Sequence, residues 1–215
     1  MHIPDGFLDP TISIVTYIIF LAFFAYAFKR IRNSFTTENV NLITVLAAGI
    51  FVAQMLNWPL PGGTSLHFVG GALAGIVAGP WLGFLTMFFV LLIQCLIFHD
   101  GGITALGANN INMAIIAVFT GYLIYTTLVK FFGEKDSVRI FSAFIGGWIS
   151  ITLAGLACGI EIGFSLTFPY GLSTTVPVMT LWHLGLGVIE GAITALIVLY
   201  LFHRIPHLVY AGVKK

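Results

Sequence analysis

The chain has 215 residues, of which 9 are Lys or Arg and 8 are Asp or Glu, so 8% carry charge against about 25% in an average soluble domain. With 59% hydrophobic residues and a mean hydropathy of +1.03, it has too little polar surface to cover a water-facing globule. A net charge of +1 argues against a nucleic-acid binder, and two cysteines, Cys95 and Cys158, are too few for a disulfide framework and read as small buried hydrophobes.

The composition points to an all-α polytopic membrane protein folded as one domain. Apolar runs bounded by charges, Gly/Pro or Asn clusters predict seven transmembrane helices, at residues 11–28, 40–57, 67–79, 81–98, 111–129, 139–160 and 179–202. As one helix, residues 68–98 would run about 46 Å at ~1.5 Å per residue, beyond a ~30 Å hydrocarbon core, so the break is expected at Gly79-Pro80. Basic residues gather on the cytoplasmic side of membranes. With the N-terminus outside and the C-terminus cytoplasmic, Lys29, Arg30, Arg32, Lys130, Lys135, Arg139, Arg204, Lys214 and Lys215 all fall inside. The expected organisation is an outer loop over residues 1–10, a bundle over 11–202 and a basic cytoplasmic tail over 203–215.

Two features of this pattern bear on function. No basic segment precedes the first apolar run, so it reads as a retained span rather than a cleaved signal, which leaves the α-amine of Met1 on the outer face. Residues 67–79 would cover only about 20 Å, and short, Gly/Pro-interrupted segments often mark substrate sites in transporters. Ladders of small residues at Gly71/Gly75/Gly79, Gly155/Gly159/Gly163 and Gly187/Gly191/Ala195 permit close helix approach. They read as packing within the bundle, with docking of a partner as the other possibility.

Polar side chains near spans are expensive, so their clustering is informative. On this topology His67, His99, Asp100, Asn109, Asn110, Asn112, Glu161 and His183 all lie near the outer surface. Glu190 is deeper, seven residues after His183 and on the same helical face. The N-terminus Met1-His2 adds a chelating logic: the amine and the His2 amide nitrogen close one ring on a metal, and the His2 imidazole closes a second. A further imidazole, His67, would complete a planar set of nitrogens, the geometry of Ni(II) or Cu(II). Pro4-Asp5-Gly6 is a turn signal that folds the terminus back over the bundle.

These residues carry a family resemblance. Met1-His2-Ile3-Pro4-Asp5-Gly6-Phe7-Leu8 resembles the N-terminus of the CbiM/NikM family, the metal-binding S components of nickel and cobalt energy-coupling factor (ECF) transporters. Ser65-Leu66-His67-Phe68, the stretch from Gly70 to Gly79-Pro80, the stretch from Asp100-Gly101-Gly102 to Asn112-Met113, and His183 with Gly187 and Glu190-Gly191 are similar to family blocks in the same order. Pro4-Asp5 looks more like the nickel branch.

The resemblance implies a six-helix S-component fold with an extra N-terminal helix, in a prokaryotic cytoplasmic membrane. It implies Met1, His2 and His67 as metal ligands, with Asn109, Asp5, Ser65, His99, Asp100, His183 and Glu190 supporting them. The cargo is Ni2+ or Co2+ and no organic cofactor is expected. Implied partners are a transmembrane T component, two cytoplasmic ATPases and a small auxiliary membrane subunit. The chain itself lacks a G-x-x-x-x-G-K-[ST] loop and reads as a non-enzymatic transport subunit.

Two other readings are open. An intramembrane hydrolase would want H-E-x-x-H, which is absent, or Ser65 or Ser165 paired with His183, and neither serine sits in a G-x-S-x-G elbow. A vitamin-binding S component could line its pocket with Phe68, Phe168 and Tyr170, but would give the terminal amine and His2 no role.

Overall fold

The computed structural model describes residues 1–32 and 34–210; Lys214 and Lys215 of the basic tail lie outside the described residues. Seven helices follow in order: α1 (Pro10–Ile31), α2 (Thr37–Gln54), α3 (Gly71–Ile93), α4 (Leu106–Asn110), α5 (Ala117–Phe132), α6 (Asp136–Phe164) and α7 (Leu172–Arg204). The chain widens into π-turns at Gln94–Phe98 and Ile111–Ile116, which extend α3 and join α4 to α5. Among the described residues, six helical stretches are long and apolar enough to cross a membrane: Pro10–Ile31, Thr37–Gln54, Gly71–Phe98, Leu106–Phe132, Asp136–Phe164 and Leu172–Arg204.

Local chemistry sets the helix ends. The Asp9 carboxylate accepts from the N–H groups of Thr11 and Ile12, and Pro10 follows at the first helical position, where its missing N–H costs nothing. Lys29 and Arg30 occupy the last turn of α1, where the helix dipole favours cations. Along α1, Ile14, Ile18 and Leu21 remain exposed, as expected of side chains that meet lipid.

Helix α3 is not one rod. Gly79 takes φ 80° and ψ 167°, outside the helical region and in one that L side chains rarely adopt, and Pro80 follows it. A Cβ on Gly83 would lie 2.8 Å from Ala74 main chain, whereas nine residues of straight helix span about 13 Å. The chain therefore doubles back at Gly79. Gly79 itself abuts Tyr210, beyond α7, and Trp81 stacks near Phe23 and Tyr26 at the far end of α1. Every residue of the short leg, 71–78, is buried.

One element was not expected. The sequence predicts the second span at 40–57 and the third from residue 67, but α2 stops at Gln54 and an antiparallel hairpin intervenes, β1 (Asn57–Pro59) with β2 (Ser65–His67). Asn57 pairs with His67 and Pro59 with Ser65. His67 thus stands on a strand rather than opening a helix. The Pro61-Gly62-Gly63 turn that closes the hairpin was a visible signal.

The small-residue ladders face inward. Gly155, Gly159 and Gly163 meet His183, Thr175 and Leu172 across α6 and α7, while Gly187 and Gly191 meet Trp148 and Phe144. Gly75 abuts the Val118 carbonyl of α5. They are packing surfaces within this chain, not free faces for a partner.

Candidate metal centre

The first residues of the chain are inside the protein. Met1 and Ile3 are 0% exposed and His2 only 3%. Asn109 clamps this segment in strand fashion: its Oδ1 accepts from the Ile3 N–H at 2.9 Å and its Nδ2 donates to the Ile3 carbonyl at 3.2 Å. The Gly102 N–H adds a bond to the same carbonyl at 2.8 Å, and any side chain on Gly102 would collide with Asp5. Asp5 accepts from the Thr104 N–H and hydroxyl at 2.7 and 2.6 Å, which holds its carboxyl below the usual carboxylate range. Further along, the Asp9 N–H donates to Ser165 Oγ at 2.8 Å, and its Oδ2 accepts from the Leu166 N–H at 3.0 Å. The terminal loop is therefore fastened to both the 99–105 loop and the α6–α7 loop.

At Met1, the amine donates to the carbonyl oxygen of Ser65 and to Ser65 Oγ. Burial pushes its pKa down from 8 to about 5, so at neutral pH it is an uncharged amine. Such an amine has two N–H bonds and one lone pair. The two acceptors on Ser65 take the N–H bonds and leave the lone pair for a ligand.

The imidazoles are prepared in the same way. His2 Nε2–H donates to Gln94 Oε1 at 3.1 Å, which leaves the lone pair on Nδ1, the nitrogen that can close a ring with its own amide. Burial, with the nearby amine second, lowers the His2 pKa to about 3. His67 Nδ1–H donates to the Phe68 carbonyl at 2.6 Å, leaving Nε2 as its acceptor, and burial holds this ring well below its ordinary pKa. Both free lone pairs, His2 Nδ1 and His67 Nε2, are buried without a hydrogen-bond partner.

Such orphans are rare unless something else uses them. His2 Nδ1 also faces Asp100 Oδ1 at 3.3 Å, two acceptors that need a proton or a cation between them; burial raises the Asp100 pKa. The two rings stack at 4.4 Å between centroids and 15° between planes. Parallel rings turn faces, not lone pairs, toward each other, so sharing one ion requires a ring to swing out of the stack. Among the described residues no group of three or more His, Cys, Asp or Glu side chains is placed to hold a metal; the donors that converge include main-chain nitrogens.

Of the other expected residues, Glu190 is 3% exposed and accepts from the N–H groups of Val69 and Gly70 at 2.8 and 2.9 Å, fixing the backbone just after His67. His183 is fully buried on α7. His99 is exposed and ends the π-turn in the left-handed conformation with φ 56°, so it caps a helix rather than joining the terminus. Asn112 donates to Glu161 at 2.6 Å, and Asn110 back-bonds to Leu106 within its own helix.

Two residues at the site carry little signal in the sequence. Gln94 fixes the tautomer of His2, and its signal was an amide inside the apolar run 88–98. Cys158, read as a plain hydrophobe, is buried but donates its thiol to the Met1 carbonyl at 3.5 Å.

Comparison with known proteins shows the family of the chain. Residues 2–208 match the CbiM family model, described as the cobalt uptake substrate-specific transmembrane region. A protein of Archaeoglobus fulgidus, named provisionally as a fused nickel transport protein NikMN, is 54% identical over 97% of this chain and 68% of its own length. A protein of Haloquadratum walsbyi, named provisionally as a metal transport protein, is 47% identical over 98% of this chain and 94% of its own length. A crystal structure of a truncated transition metal transporter superposes with a TM-score of 0.90 at 38% identity, over 95% of this chain and 99% of that one.

Proposed function

Because the chain belongs to the CbiM family of cobalt uptake substrate-specific transmembrane regions, we propose that it is the metal-binding S component of an ECF importer, with Ni2+ as cargo and Co2+ as competitor. The ligands in this reading are the Met1 amine, the amide nitrogen and Nδ1 of His2, and Nε2 of His67. The observation that carries it is the lone-pair arrangement: the Met1 amine and the two imidazoles each have their N–H bonds taken by a protein acceptor, Ser65, Gln94 or the Phe68 carbonyl, and one nitrogen lone pair left over. Such outer partners are what orient ligands in metal sites. Four nitrogens in a plane suit nickel, and the order of divalent affinities favours nickel over cobalt for a given site.

The membrane reading follows the same line. Residues 71–79 and 80–98 serve as separate crossings, which gives seven, with the N-terminal end outside and the basic end in the cytoplasm of a prokaryotic cell. It is supported by the reversal at Gly79 and by the meeting of Arg139 with Glu134 and Asp136, and of His203 with Asp136, at the end opposite Met1. Energy for import comes from two partner ATPases coupled through a T component.

The test is calorimetric nickel titration of the chain with Met1 as its free terminus against the same chain extended by a few residues ahead of Met1. The extension converts the amine into an amide and is expected to abolish tight binding while the fold survives. Equal affinities would sink the chelate.

A further inference from the structure

The planar site is closed to solvent, with Met1, His2 and His67 all buried. An ion arriving from outside must first meet a group that solvent reaches and that also touches one of these ligands. Most acids around the terminus are engaged elsewhere. Asp5 accepts from Thr104, Asp9 caps α1 and holds the Leu166 N–H, Glu161 accepts from Asn112, and Glu190 is tied to the Val69 and Gly70 N–H groups. Asp100 differs. Its side chain is 22% exposed, and its Oδ1 stands 3.3 Å from His2 Nδ1, whose lone pair is buried without a hydrogen-bond partner.

Local structure builds Asp100 into this position. Its N–H donates to the Gln94 carbonyl at 3.0 Å, and the Gln94 side chain accepts from His2 Nε2, so one residue aligns both partners. His99, just before it, takes a left-handed φ of 56°, uncommon for a residue other than glycine, and turns the chain out of the π-turn. A side-chain hydrogen bond from Asn57 reaches the Asp100 carboxyl, and Asn57 pairs with His67 across the hairpin. Asp100 therefore touches the terminal segment and the strand pair that carries His67. Spacing adds to this. Nitrogen and oxygen donors lie about 2.0–2.2 Å from a divalent ion of this size, so two of them at a right angle stand about 3 Å apart. The 3.3 Å between Asp100 Oδ1 and His2 Nδ1 is close to that value. The stacked rings of His2 and His67, by contrast, share no ion until one of them swings. The outer pair is the one already spaced for a cation.

We propose that Asp100 is the entry ligand of the site, the carboxylate that takes the hydrated divalent cation from the outer side and hands it to His2 Nδ1. The proposal rests on the planar-site reading above. In the first step the Asp100 carboxylate and His2 Nδ1 each displace one water from the ion. A ring then swings out of the stack, the Met1 amine, the His2 amide nitrogen and His67 Nε2 displace further waters, and the carboxylate gives up its place. The amide proton leaves to solvent and no electron changes hands. Carboxylate and water suit a hydrated ion, whereas imidazole suits nickel, so the order of donors runs from capture to retention. A negative charge at the mouth also raises the local concentration of a dication and with it the association rate.

Purified native-terminus protein and its Asp100→Ala and Asp100→Glu variants are mixed rapidly with nickel chloride. Association is followed by the absorbance of nickel in a planar nitrogen set, and release is followed into excess chelator. For the Ala variant, association is expected to slow at least about tenfold while release changes by less than about threefold. Added salt slows association in the parent and much less in the Ala variant. Glutamate keeps the carboxylate and restores much of the rate, which a packing role would not predict. Association at the parent rate in the Ala variant, a loss of affinity carried by faster release, or a Glu variant no better than Ala would each overturn the entry role and leave the planar site standing. A parent chain that binds no nickel would bring down the planar site as well.

Discussion

At the end of the bundle that carries Met1, Asn109 and Gln94 are at most 1% exposed and bond the terminal segment, while Glu190, deeper on α7 and also buried, bonds the residues after His67. At the opposite end, Arg139 approaches Glu134 at 3.4 Å and Asp136 at 3.7 Å, and His203 meets Asp136 at 2.7 Å, with the acids and His203 about half exposed. Buried polar groups are costly to orphan, whereas exposed ion pairs contribute little. The first set therefore fixes the terminal segment and the backbone after His67 in place, and the second serves mainly to put charge at one face.

That contrast predicts a graded series of effects. The largest is expected for His67→Ala. Structural metal sites hold their ion with about 10–16 kcal/mol across four ligands, so one lost donor is worth about 100- to 1000-fold in nickel affinity, measured by calorimetry. Unchanged affinity would remove His67 from the ligand set. Next comes Asn109→Ala, which touches no proposed ligand atom but frees the N–H of Ile3 and leaves its carbonyl with Gly102 as donor. Nickel affinity should fall by about 10- to 100-fold while the far-ultraviolet dichroism stays helical. A value indistinguishable from the parent would mean that the terminus is held without the clamp.

A change of pH acts through the ligands themselves. The His2 amide gives up a proton on binding at any pH, so the logarithm of affinity should rise by about one per pH unit above pH 5. Below pH 5 the Met1 amine, with its pKa of about 5, begins to hold a second proton that the ion must displace, and the slope steepens toward about two. Burial lowers the His2 pKa to about 3, so that ring adds nothing until still lower pH. A slope already near two at pH 7 would show the amine charged in the folded chain. The smallest effect is expected for Asp136→Ala, which removes partners of Arg139 and His203 at the surface. It should cost no more than about 1 kcal/mol in denaturant titration and leave nickel affinity untouched.

Much of this site was legible in the sequence because its chemistry is written in residues that are expensive in a membrane. His2 and His67 stand out as a pair in the sequence, Asn109 and Glu190 only through the family resemblance, and the structure stacks the two rings. What was not legible was reach. The sequence placed His99 and Asp100 together, yet one is exposed and the other faces His2. Gln94 and Cys158 looked like ordinary occupants of apolar runs because nothing local distinguishes a side chain that points at the terminus from one that points at a neighbouring helix. The hairpin was missed because two three-residue strands leave almost no hydrophobic period to read.

Composition and the order of apolar runs by themselves determined a polytopic helical membrane protein, since 8% charge cannot cover a soluble globule. The break at Gly79-Pro80 belongs to that level too, because a proline after a glycine ends a helix wherever it falls. Only the tertiary structure decided which nitrogen of His2 keeps its lone pair and which acceptors hold the Met1 amine. That depends on which acceptor lies within hydrogen-bond reach of the other nitrogen, and for His2 and Met1 those acceptors, on Gln94 and Ser65, are 92 and 64 residues away in the chain.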